Sequence, residues 1–172
     1  MTLDRRSVYA LLGVIAVAIA CIAACPLVAS FAASSQDQSA ATARDAILAR
    51  KGLMNSIMDK MDRIANMISR GKIEMSAARE HADDISVMLS AFPHLFPEGS
   101  NQWKEDSDLD PAADTTASPD IWTDFPEFYR RSAMAANTAY ELSRAENADE
   151  VKRLYRALGV ACDTCHALYL KE

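Results

Sequence analysis

The sequence predicts an all-α fold, an antiparallel four-helix bundle preceded by an N-terminal signal or anchor segment. Three observations carry that expectation: a composition that favours helix, four stretches whose apolar residues recur at spacings of three and four, and no strand-like alternation. Half of the 172 residues are apolar, and only 5 are Gly and 6 Pro. At 18.8 kDa the chain has room for one domain with a sizeable core.

The N-terminus reads as an address. Arg5 and Arg6 precede a run from Val8 to Ala33 without a charge, the basic start and apolar middle of an export signal. Residues 1–33 are therefore expected to be a signal peptide or membrane anchor, and residues 34–172 the bundle. Three outcomes fit the leader: cleavage near the small residues of 29–33, retention as an anchor, or lipoprotein processing at Cys25 after Ile22, Ala23 and Ala24. Each places the domain outside the cytoplasm, in the periplasm. The net charge is −6, of which the leader contributes +1, leaving −7 on residues 34–172. That balance disfavours a nucleic-acid partner.

Each helix has its own pattern. Over residues 39–70, Ile47, Met54, Ile57, Met61, Ile64 and Ile68 share a stripe that also includes Arg50, and Gly71 suits the C-cap. Ala78, Ala82, Ile85, Leu89 and Phe92 form a second stripe that Pro93 stops. Residues 93–118 show no period and read as a long crossover loop, with Leu95, Phe96 and Trp103 tucked against the bundle. Ser118-Pro119 opens a third helix with Ile121, Phe125, Phe128, Ala135, Ala139 and Leu142 inward. Asn147 with Glu150 opens the fourth, whose stripe is Val151, Leu154, Leu158, Ala161, Cys165 and Leu168.

That last helix carries the chemistry. Cys21 and Cys25 lie in the leader, so Cys162 and Cys165 are the only cysteines of the domain, too few for a disulfide scaffold. They stand in CDTCH, residues 162–166, and helical spacing makes Cys162 a neighbour of both Cys165 and His166. Cys-x-x-Cys-His is the attachment signature of c-type haem, in which two thiols add to the vinyl groups and the imidazole reaches the iron. Chance occurrence in a chain of this length is on the order of one in a thousand from average residue usage. A zinc site would need a fourth ligand, with only His81 and His94 left as nitrogen donors. A thiol oxidoreductase places its cysteines at a helix N-terminus, whereas a C-terminal position raises the thiol pKa. A haem-free thiol or zinc module is thus the remote alternative.

The opposing first helix is rich in methionine, with Met54, Met58, Met61 and Met67. Most are core fillers. Arg50, however, lies one turn before Met54 on the same stripe, and an inward guanidinium calls for an anion such as a haem propionate. Met54, roughly 6 Å further along the axis from the rise per residue, becomes the candidate iron ligand opposite His166. Met58 is the alternative, ahead of His81 and His94.

The chain resembles the class II cytochromes c, the cytochrome c′ family, through ARKGLMNSIM at 49–58, LFPEGS at 95–100, SPDIW at 118–122 and CDTCH at 162–166. The resemblance implies one covalent haem c, held by Cys162 and Cys165 with His166 on the iron. It also implies that a methionine at position 54 marks the low-spin branch of electron carriers. High-spin relatives leave the iron five-coordinate and bind nitric oxide or carbon monoxide, which is the alternative reading. Relatives carry a basic residue four positions after the haem histidine; here that position is Leu170, followed by Lys171. The expectation is a periplasmic one-electron carrier with His/Met ligation, not an enzyme. Its partners are redox proteins of the cell envelope, and pairing of two copies through the first two helices is a further arrangement the resemblance implies.

Overall fold

The computed structural model describes residues 25–105 and 114–171, with side chains from Ser39 onward. The chain divides into two compact units, Met1–Ala41 and Thr42–Glu172. Most of the expected leader, 1–24, lies outside the described residues; residues 25–33, and the polar stretch 34–38 after them, are helical in backbone. Among the described residues no helix is long and apolar enough to cross a membrane.

Helix α1 spans Cys25–Ser69, α2 Met75–Ala91, α3 Asp120–Thr123, α4 Phe125–Ser143 and α5 Ala148–Tyr169. The described residues contain no named strand, only an isolated bridge between Ala117 and Leu170. The antiparallel four-helix bundle of the sequence is the fold that forms.

The expected caps are in place where the local chemistry demanded them. Gly71 sits at φ +66, and the amides of Gly71 and Lys72 close back onto the carbonyls of Ile68 and Met67 at 3.0 and 3.1 Å. That left-handed residue ends α1 and turns the chain into α2. The Asn147 side chain accepts from the Glu150 amide at 3.0 Å, and the Glu150 carboxylate accepts from the Glu146 amide at 2.7 Å, a capping box displaced by one residue.

Two expectations need correction. The third helix is not continuous: it breaks at Asp124, which caps α4 by accepting from the Glu127 amide at 3.3 Å. Pro126 has no amide hydrogen for the carbonyl of Trp122, so an unbroken helix would lose that bond. Leu168 is 44 % exposed. Tyr169 takes its place, its ring 5.2 Å from that of Phe128 at a near-perpendicular angle, because one step of four beyond Cys165 keeps closer to the buried face than one of three.

Antiparallel order is visible in the cross-links. Lys60 on α1 pairs with Asp84 on α2 at 2.5 Å. Arg79 Nε of α2 donates to the carbonyl of Ala145, just after α4, at 2.8 Å at one end, and Ser132 Oγ of α4 donates to the Leu89 carbonyl of α2 at 2.7 Å at the other. The main core joins Ile57 and Ile64 of α1, Ile85 of α2, Leu142 of α4 and Leu158 of α5. A second, aromatic cluster around Phe96, Ile121 and Phe128 closes the end of the bundle remote from Gly71. Phe96 and Phe128 meet edge to face at 4.8 Å, and each fully buried ring of this size contributes roughly 2–3 kcal/mol by apolar burial.

Candidate functional site

Along α5 the inward face changes character. Val151, Leu154 and Leu158 are buried, whereas Cys162, Cys165, His166 and Tyr169 are half-buried. The intervening Asp163 and Thr164 are exposed, and the Thr164 hydroxyl bonds back to the Val160 carbonyl at 2.7 Å. The CDTCH segment is therefore helical, with Cys162, Cys165 and His166 all partly buried. Cys162 packs against the main core and Cys165 against the aromatic cluster, so the pair straddles the join between the two.

Both thiols are free. Burial pushes the Cys162 thiol up to about 11. Cys165 is raised by the same desolvation, with Arg131 opposing it. Buried thiols of this kind are protonated near neutrality, the opposite of the activated thiolate that disulfide exchange needs. Among the described residues no three His, Cys, Asp or Glu side chains gather in a way that could hold a metal ion.

Met54 is half-buried and packs on the main core cluster, as does Cys162. Met58 is 56 % exposed and points away. Met61 and Met67 fill the core, as expected of most methionines on this stripe. His81 stands two residues from Arg79, at the end of the bundle where α4 and α5 are joined, and His94 is exposed with its ring edge-on to Tyr129 at 5.9 Å.

Arg50 faces inward and is 5 % exposed. Its Nη1 donates to Ser100 Oγ at 3.0 Å, and its Nη2 to Thr115 Oγ1 at 3.2 Å and to the Ser100 carbonyl at 3.4 Å. The guanidinium lies 4.5 Å over the Phe96 ring and 5.7 Å from that of Trp122. Burial pushes its pKa down to about 10, which still leaves it charged at neutral pH. Ser100 and Thr115 were not singled out by the sequence: Ser100 ends the LFPEGS turn, and Thr115 lies in the aperiodic crossover with no local signal.

The residues fit a covalent haem. Two thiols one turn apart suit thioether attachment and the adjacent imidazole suits iron. A buried guanidinium whose described hydrogen bonds all end on neutral oxygens suits a carboxylate.

Residues 45–169 match the family described as Cytochrome C′, and the chain belongs to that family. Proteins of the family bind one covalent c-type haem and are periplasmic. Relatives include cytochrome c-556 of Agrobacterium tumefaciens, 29 % identical over 70 % of this chain and 92 % of its own, and cytochrome c′ of Pararhodospirillum photometricum, 26 % identical over 70 % and 91 %. The fold is similar to that of cytochrome c′ from Thermochromatium tepidum, with a TM-score of 0.64, 19 % identity and coverage of 76 % of this chain and 97 % of that one. A further cytochrome c′ structure, described as showing ligand-controlled dimer dissociation, matches at a TM-score of 0.63 and 22 % identity over 76 % and 97 %.

Proposed function

We propose that the protein is a periplasmic one-electron carrier, not an enzyme. Cys162 and Cys165 would hold its haem covalently, His166 and Met54 would ligate its iron, and Arg50 would take a propionate. Bound haem supplies a single one-electron iron couple. The chain's own residues bind, orient and shield it: the cysteines tether it at the C-terminal end of the bundle, and the aromatic cluster of Phe96, Phe128 and Tyr169 keeps water from that end. Were both side chains to hold the iron, no position would be left for a substrate, and thioether ligation would favour a higher potential than an open site.

The observation that carries this reading is the place of Met54, half-buried on the same core cluster as Cys162 while Met58 is turned to solvent. Its partners would be redox proteins of the cell envelope. The leader would direct export or anchor the domain, and two copies would pair through α1 and α2.

A second reading is a five-coordinate protein that binds nitric oxide or carbon monoxide. It is favoured by the packing of Met54 on the main core cluster, where a methionine is also at home as a filler. Absorption spectra of the purified holoprotein in both oxidation states separate the two. Low-spin spectra that carbon monoxide leaves unchanged support the carrier; a high-spin ferrous spectrum with stoichiometric carbon monoxide uptake supports the gas binder.

A further inference from the structure

Three buried polar residues meet beside the aromatic cluster: Arg50 from α1, Ser100 from the turn Glu98–Ser100, and Thr115 from the crossover, exposed by 5, 0 and 3 %. Each hydroxyl is itself held. Ser100 Oγ donates to the Pro97 carbonyl at 2.7 Å, and Thr115 Oγ1 accepts from the Ala117 amide at 3.1 Å. Pro97 O also accepts from Trp122 Nε1 at 3.2 Å, so the turn that carries Ser100 is tied to α3. The guanidinium is thus gripped by two anchored hydroxyls and a backbone carbonyl, with the Phe96 ring beneath it. Of its five N–H groups, Nε–H and one Nη1–H make no hydrogen bond among the described residues.

We propose that Ser100 and Thr115 are positioning residues that hold Arg50 inside the bundle as a fixed cation, and that this cation raises the reduction potential of the bound haem. The proposal rests on the haem reading above. The sign follows from charge. Reduction takes one electron from a redox partner protein, moves no atom, and lowers the charge of the site by one, a change that a nearby fixed positive charge favours. A guanidinium that swings into water is screened and loses this effect. What keeps it from swinging out is the hydroxyl pair, because a buried cation stripped of hydrogen-bond partners is costly. Removing the cation also leaves any carboxylate on the spare N–H groups uncompensated, which lowers the potential in the same direction.

The test is a double-mutant cycle on holoprotein, read as midpoint potential against a fixed mediator, with haem attachment checked by intact mass and ligation by absorption spectrum. Arg50→Leu lowers the equilibrium constant for reduction on the order of tenfold, the effect of one charge acting over about 12 Å at an effective dielectric constant of about 20. Thr115→Val lowers it by a few-fold, and Thr115→Ser restores it. Arg50→Leu/Thr115→Val is no lower than Arg50→Leu alone, since Thr115 acts through the guanidinium. Haem present with its spectrum intact and a potential that Thr115→Val leaves unmoved, or shifts that add in full, overturns the proposal while leaving the haem reading standing. Absence of haem mass in the parent protein overturns both. If Arg50→Leu does not accumulate, the Thr115→Val and Thr115→Ser pair decides: a drop with rescue supports the proposal, and equal potentials overturn it.

Discussion

The Ser132 hydroxyl donates to the Leu89 carbonyl at 2.7 Å, joining α4 to α2 between residues 43 apart. In a continuing helix that carbonyl would accept from the amide four residues on, which is Pro93 and has no hydrogen. Ser132, 4 % exposed, supplies the missing donor. Ser132→Ala is therefore expected to cost about 1–3 kcal/mol, the cost of a buried acceptor left unpaired. Chemical denaturation of wild type and variant measures it, and a loss below about 0.5 kcal/mol, the scatter of an ordinary surface substitution, would contradict the account.

Met54→Ala and Met58→Ala form a matched pair. Met54→Ala is expected to give a high-spin ferrous spectrum that responds to carbon monoxide. Met58, 56 % exposed, is expected to leave the spectrum unchanged and stability within about 0.5 kcal/mol, as for surface positions. The reverse outcome would transfer the ligand role to Met58.

In chain made without haem, Cys162 is expected to be a poor nucleophile. Burial holds its thiol up at about 11, so at pH 8 its alkylation should run about a hundredfold slower than that of an unfolded control, and speed up as pH rises toward 11. The sign for stability follows. The unfolded thiol ionises first, so this group favours the folded haem-free chain below about pH 9 and that contribution is lost as pH rises through 11. Iodoacetamide kinetics followed by mass spectrometry, with helicity monitored in parallel, checks it; equal rates in the folded and denatured chain would refute it.

Gly71→Ala isolates a backbone effect. Nothing lies within 4 Å of a Cβ added there, yet φ is +66. The expected cost is about 1–2 kcal/mol from left-handed strain alone. Asn147→Ala removes the cap on the Glu150 amide and should cost about 1 kcal/mol. Melting curves of the two variants and their combination should add, because the sites lie on separate caps.

What was legible in the sequence was whatever depends on spacing along one helix. Cys162, Cys165 and His166 are close because residues three and four apart share a face, and Arg50 could be placed inward because it sits on the stripe of Ile47, Met54 and Ile57. Gly71 and Asn147 could be read as caps for the same reason, since a cap is chemistry within five residues. The break at Asp124 was legible in principle from Pro126, but the apolar stripe runs through it and masked it.

The sequence by itself determined the four helical stretches, most of their inward faces and the presence of an attachment motif, because periodicity and capping are short-range and need no partner. Only the tertiary structure decided what surrounds that motif. Ser100 and Thr115 reach Arg50 across separations of 50 and 65 residues, from a crossover without period whose path is set by where Phe96 and Trp122 can be buried. The physical reason is that burial depends on what the opposing helix presents, which no local pattern records.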